Sequence, residues 1–204
     1  MSISQRFYFK TFFDYVLVII TMPFWLILLI IIALIVKLKE PNYPIFFIQE
    51  RIGKNGKPFQ MIKFRSMVPN VSGNTITITS KNDARITKLG SLMRKWKLDE
   101  LPELINILKG QMSFVGPRPD VPGYADKLQG EERLILSLKP GITGLASLKY
   151  VNEEELLASV ENPKWYNDHV IFPDKVKINL EYYYNYSILT DIKLIFQTIF
   201  NKKG

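Results

Sequence analysis

At 204 residues the chain is long enough for one catalytic domain with a membrane element, and too short for two large domains. It has no cysteine, which excludes a disulfide framework and a thiolate metal site, and its single histidine, His169, excludes a histidine-rich one. The charge is uneven: residues 37–120 hold 15 Lys+Arg against 7 Asp+Glu and residues 121–204 hold 10 against 11, so one half carries an excess suited to nucleic acid, anionic lipid or a phosphorylated substrate.

From Tyr15 to Val36 the chain carries no charge, a run long enough to cross a bilayer as a straight helix. No small-residue cleavage pattern follows it, which argues against a removable signal peptide. Arg6 and Lys10 precede the run, and Lys37 and Lys39 follow it, so the positive-inside rule gives no orientation. Pro23 sits inside, where it removes the N–H that would bond the Ile19 carbonyl and kinks the helix. Two arrangements satisfy these facts: a re-entrant helix that bends at Met22-Pro23 and returns to the same face, and a kinked single span.

Two strand patterns follow, Ile45–Gly53 and Phe59–Phe64, joined by the turn Lys54-Asn55-Gly56-Lys57-Pro58, and together they predict a hairpin. Alternation puts Lys63 and Arg65 on one face, as a cationic wall for a diphosphate or as a solvated surface, with Ile62 and Phe64 on the other. Residues 68–82 are polar and β-branched, a loop or edge hairpin. Asp83 to Gly90 then leads a helix through Leu92, Met93 and Trp96; only the fold can bring Arg85 and Arg94 together.

The centre of the sequence is Leu98-Asp99-Glu100-Leu101-Pro102-Glu103. Leu98, Leu101, Ile105 and Leu108 repeat at helical spacing, and Pro102 fits only a first turn, so the spacing predicts a helix beginning near Asp99. Such a start suits phosphate, while the plainer alternative makes Asp99 an N-cap and Glu100 and Glu103 first-turn acids. In Gly116-Pro117-Arg118-Pro119, Pro117 and Pro119 stiffen the backbone around one guanidinium, a fork suited to phosphate oxygens. Arg65, Arg94 and Arg118 are therefore the candidate phosphate contacts, with Lys63, Arg85 and Thr143 placed beside them as substrate-binding residues.

An amphipathic helix is expected around Glu131–Leu138, followed by Lys139-Pro140-Gly141-Ile142-Thr143-Gly144, where two glycines allow close backbone approach to a ligand. Val151–Lys177 is acidic and helical in pattern, a specificity insert or a surface helical pair. Asn179 and Glu181, just before the tyrosines at 182–184, are candidate polar residues to which the sequence alone assigns no role. Ile188–Gly204 is amphipathic, suited to a membrane interface or to capping the core.

Four blocks in order, Lys63–Met67, Leu98–Gly110, Ser113–Pro119 and Lys139–Gly144, resemble the bacterial sugar transferase family, the monotopic phosphoglycosyl transferases. The resemblance runs from the apolar segment to about Asp191. It implies an α/β membrane-associated (monotopic) enzyme with a re-entrant helix over residues 1–40. Residues 41–204 would form a compact, helix-rich cytosolic catalytic domain with a small β-hairpin and interfacial amphipathic helices. It further implies transfer of a phospho-sugar from a UDP-sugar to a polyprenyl phosphate at the cytoplasmic face of the bacterial inner membrane. Asp99 would be the nucleophile and a ligand of Mg²⁺, with Glu100 its partner, orienting the metal or accepting a proton. Membrane lipid is an expected partner, nucleic acid is not, and a homodimer is compatible with this scheme. The chain departs from the family in having Met22 where a serine commonly stands at the bend, and Leu145–Tyr150 where a Gln and a Gly-Arg pair often follow. Two rival classes are a non-catalytic adaptor for anionic lipid and a membrane-tethered nucleic-acid binder; the second lacks aromatics interleaved in the basic stretch.

Overall fold

The computed structural model describes residues 3–69 and 83–200, so most of the loop or edge hairpin expected at 68–82 lies outside the described residues. Helix α1 (Ile3–Lys39) is 37 residues long, roughly 55 Å at 1.5 Å per residue, with Pro23 inside it. It is long and apolar enough to cross a membrane. Side chains supplement the hydrogen bonding just before Pro23: the Thr21 hydroxyl donates to the Leu17 carbonyl at 2.7 Å and the Trp25 indole to that of Val18 at 3.0 Å. These bonds go to the Leu17 and Val18 carbonyls, not to the Ile19 carbonyl that Pro23 frees.

One stripe of α1, Val18, Trp25, Leu29, Ile32 and Val36, is buried in the same core as Phe59, Met61, Phe64, Met93, Leu104, Ile107 and Met112. The rest of the helix leaves Phe12, Ile19, Phe24, Ile27, Ile30 and Leu34 exposed, which suits lipid.

Strands β1 (Phe46–Ile52) and β2 (Pro58–Phe64) form the predicted antiparallel hairpin, in register from Phe46 opposite Phe64 to Ile52 opposite Pro58. Asn55 and Gly56 take φ of 60° and 76°, the left-handed pair that a tight hairpin turn requires. Helix α2 (Lys88–Lys95) starts at Thr87, whose hydroxyl accepts from the Gly90 N–H at 2.9 Å. Helix α3 (Glu103–Leu108) follows, then two three-residue strands, β3 (Ser113–Val115) and β4 (Gly141–Thr143), that pair in parallel.

This small sheet corrects the expectation for Gly141 and Gly144. A Cβ on Gly141 would lie 2.1 Å from the Gly116 nitrogen, and one on Gly144 would lie 2.4 Å from the Gly116 oxygen. The close backbone approach is to the chain itself, not to a ligand. The expected helix at Glu131–Leu138 is a 3-10 helix over Gly130–Ser137.

The remaining helices are α4 (Leu145–Lys149), α5 (Glu153–Ala158), α6 (Pro163–Tyr166), α7 (Phe172–Asn185) and α8 (Ile188–Phe200). Helix α8 both caps the core and presents an apolar face. Leu194 is buried, while Leu189, Phe196, Ile199 and Phe200 are exposed. It is tied to α1 by Lys10, whose ammonium meets Asp191 Oδ2 at 2.5 Å, with both side chains at most 4% exposed. Tyr182 of α7 donates to the other oxygen of Asp191, also at 2.5 Å. Asn179 is buried on α7 and Glu181 is exposed.

Candidate active site

The site is built where α2 stops and α3 begins. After Lys95 the chain turns through Lys97 in the left-handed region, φ 57°, into a 3-10 turn over Leu98–Glu100. The expected helix start near Asp99 is therefore displaced: α3 begins at Glu103. Proline supplies the reason. Pro102 has no N–H to reach the Leu98 carbonyl, which accepts instead from Leu101 at 3.2 Å, the shorter 3-10 spacing. The tight turn buries both carboxylates, Asp99 at 8% and Glu100 at 7% exposure.

Glu100 is clamped from two sides. Its Oε1 accepts from Lys63 Nζ at 2.9 Å and from Arg118 Nη2 at 2.8 Å. Lys63 also reaches Glu103 Oε1 at 3.2 Å and so bridges two carboxylates. Burial alone would raise Glu100, but the charges of Arg118, Lys63 and Lys97 hold it well below the usual carboxylate range. Glu103 has less help; burial and then the charge of Glu100 push it up to about 7. Asp99 is also raised, by burial first and by Glu100 second. Its Oδ1 is buried without a hydrogen-bond partner. Asp14, Ser147 and Tyr186 also have such an atom among the described residues; Asp99 is the one in this cluster.

A buried carboxylate oxygen without a partner calls for an explanation, such as an ion or a substrate group. The donors are all oxygen, which fits a hard divalent ion such as Mg²⁺. Among the described residues no group of three or more His, Cys, Asp or Glu side chains is placed to hold a metal ion.

Arg118 is presented by a turn held on three sides. The Pro119 carbonyl accepts from Arg51 Nη1 at 3.2 Å, the Asp120 carbonyl from the Ile52 N–H at 2.9 Å, and the Pro117 carbonyl from the Gly141 N–H at 2.8 Å. Pro117 and Pro119 thus brace the guanidinium, whose side chain keeps 43% exposure.

The structure brings Lys63, Asp99, Glu100 and Arg118 together, with the charge of Arg94 also acting on Asp99. Arg94 itself pairs with Glu154 of α5 and lies 3.7 Å from the Met67 sulfur. The other candidates are committed elsewhere. Arg65 donates to the Pro44 carbonyl at 2.9 Å and lies over the Phe47 ring. Arg85 forks onto Asp83, at 2.9 and 2.5 Å. The buried Thr143 hydroxyl meets that of Thr198 on α8 at 2.6 Å.

Several residues of the site carried no sequence signal. Glu103 was a first-turn acid by position and is a full member of the cluster. Arg51 is packed beneath the Arg118 turn, where burial and then the nearby Arg118 charge lower it to about 10. The acidic segment supplies Glu154 to Arg94, and Glu153 to Lys175 at 2.6 Å, so it forms a rim of the site rather than a separate surface pair.

The family model described as bacterial sugar transferase matches residues 5–202. The chain is 39% identical over 173 residues to the UDP-glucose:undecaprenyl-phosphate glucose-1-phosphate transferase of Escherichia coli (strain K12), covering 83% of this chain and 34% of that one. It is 31% identical over 191 residues to the UDP-N-acetylgalactosamine-undecaprenyl-phosphate N-acetylgalactosaminephosphotransferase of Aeromonas hydrophila, covering 91% and 41%. Similarity to the exopolysaccharide production protein PSS of Rhizobium leguminosarum bv. phaseoli is 36% over 182 residues, covering 84% and 83%. The chain thus spans about a third to two fifths of the first two relatives and most of the third.

Proposed function

The chain belongs to the bacterial sugar transferase family, and from that premise we propose that it moves a phospho-sugar from a UDP-sugar to a polyprenyl phosphate, releasing UMP. The observation that carries this reading is the Asp99 oxygen, buried and without a partner, beside a Glu100 already held by Lys63 and Arg118. The names of the E. coli and Aeromonas relatives, both undecaprenyl-phosphate sugar phosphotransferases, support the substrate classes.

The chemistry divides into two displacements. An Asp99 carboxylate oxygen attacks the phosphorus that bears the sugar, the bond from that phosphorus to the bridging oxygen breaks, and UMP leaves. A phosphate oxygen of the lipid then attacks the same phosphorus, the Asp99–phosphorus bond breaks, and the carboxylate is restored. Glu100 orients rather than reacts in this scheme, since both of its cations sit on one oxygen and fix it. Arg118 presents its exposed edge to the diphosphate, a planar fork suited to phosphate oxygens. Asp99 would hold Mg²⁺, which supplies positive charge against the diphosphate when bound.

The acceptor's phosphate lies at a lipid surface, so the site must be held there. We place the chain on the cytoplasmic face of the inner membrane, with α1 re-entrant at Pro23 and both of its ends cytosolic. Single cysteines at Ser4 and Lys39 should then both be protected from an impermeant thiol reagent in intact cells, and labelling of either from outside would mean a true span. The activity itself is tested by UMP release from a panel of UDP-sugars with polyprenyl phosphate. Release from at least one sugar, saturable in both substrates, is expected. If the protein binds anionic vesicles in a salt-sensitive way but releases no UMP from any sugar, it is an adaptor instead.

A further inference from the structure

We propose that Lys97 is a phosphate-binding residue of this site, the ammonium that first meets the diphosphate of a nucleotide-sugar donor. The inference rests on the donor class proposed above. It starts from backbone geometry. Lys97 lies at φ 57°, a conformation that glycine or asparagine adopts freely and lysine does not. The backbone alone makes the turn: the Lys97 N–H donates to the Arg94 carbonyl at 3.1 Å, and the Lys97 carbonyl accepts from the Glu100 N–H at 3.3 Å. Any residue would make those two bonds. The lysine side chain is exposed and, among the described residues, enters no ion pair. Among the described residues no side-chain hydrogen bond or ion pair calls for a lysine here.

The other cations of the site are already engaged. Lys63 lies between Glu100 and Glu103, Arg118 is on Glu100, and Arg94 is on Glu154. An incoming diphosphate must compete with a carboxylate for each of these. Lys97 has no carboxylate to release, yet its charge acts on both Asp99 and Glu100 two and three residues away. An exposed ammonium on a flexible stem is a point charge with no required direction, which suits capture, whereas the braced Arg118 fork suits alignment. A residue strained in backbone and idle in the fold, beside the proposed nucleophile, matches a functional placement.

The test uses the full chain in detergent or nanodiscs, with Lys97→Gly and Lys97→Asn, both compatible with positive φ. UDP binding in the presence of Mg²⁺ is measured by calorimetry at low and high salt, together with melting temperature and donor kinetics. Lys97→Gly should melt higher, because the strained backbone is relieved. It should nevertheless bind UDP about ten-fold more weakly at low salt, raise the donor KM by a similar factor and leave kcat within about two-fold. The difference from the unmodified protein should shrink at high salt. Lys97→Asn should show the same loss of affinity. Higher melting with unchanged UDP affinity and KM would make Lys97 a turn residue only and overturn the proposal, as would a fall in kcat at unchanged KM. If the unmodified protein binds UDP through Lys97 yet releases no UMP from any UDP-sugar, the transfer reaction falls and the phosphate site stands.

Discussion

Two buried aspartates, Asp99 and Asp191, show how differently one fold treats the same side chain. Asp191 has both oxygens engaged, one by Lys10 and one by Tyr182, and it joins α1, α7 and α8 into one body. Asp99 is nearly as buried but leaves Oδ1 without a partner, while the cations around it attend to Glu100 instead. Asp191, which ties three helices together, closes its hydrogen bonds. A carboxylate kept for chemistry has to leave an oxygen open, and the surrounding cluster must tolerate that cost.

The contrast is broken most severely at Asp191. Asp191→Ala would leave Lys10 charged, buried and alone, which should destabilise the protein by about 3–5 kcal/mol, with activity lost only as the protein unfolds. Chemical denaturation in detergent reads the stability. The double variant Lys10→Met/Asp191→Leu should recover much of it, because removing both charges removes the unpaired one.

At the site the expected pattern reverses. Arg118→Lys keeps the charge and an ion pair to Glu100 but loses the planar fork, so turnover should fall about 100-fold with little change in melting temperature. A charge-conserving change at the exposed Lys127, Lys127→Arg, is the control and should be silent. Equal activities for the two would remove Arg118 from the site.

A smaller effect sharpens the comparison through pH. Burial, then the charge of Glu100, raises the Glu103 carboxyl from 4.5 to about 7 in the fold. Between those values the folded state holds more protons than the unfolded chain, so this group makes stability fall as pH rises across that window and adds no further slope above it. Glu103→Gln, which keeps an acceptor for Lys63, should flatten that slope. An unchanged pH profile in the variant would mean that Glu103 ionises freely in the fold.

Much of this was legible in the sequence, and the reasons for the rest are physical. The Asp99-Glu100 pair, the Pro-braced Arg118 and the Asn-Gly hairpin are local: each is specified within a few residues by proline, glycine or turn chemistry. Arg65 meets the Pro44 carbonyl and the Phe47 ring, partners about twenty residues away that strand alternation does not report. The glycines of the 141–144 turn were read as making room for a ligand, but they make room for Gly116, through a parallel pairing too short to leave a pattern. The partnership of Arg94 with Glu154 spans 60 residues, and that of Lys63 with Glu100 spans 37; no periodicity reports such distances. The displaced start of α3 was legible in principle. Pro102 removes the N–H that a regular first turn through Asp99 would need, and the 3-10 turn follows from that.

The central claim is that Asp99 keeps an oxygen open to form a bond with phosphorus. Intact-protein mass spectrometry after mixing the enzyme with its UDP-sugar and Mg²⁺, before any lipid acceptor is added, tests this most directly. The account predicts UMP in solution and a phospho-sugar mass on the protein that maps to Asp99, disappears when polyprenyl phosphate is added, and is absent from Asp99→Asn. An Asp99→Asn protein, verified as undeamidated, that still forms the adduct would contradict it, as would UMP release that begins only once acceptor is present.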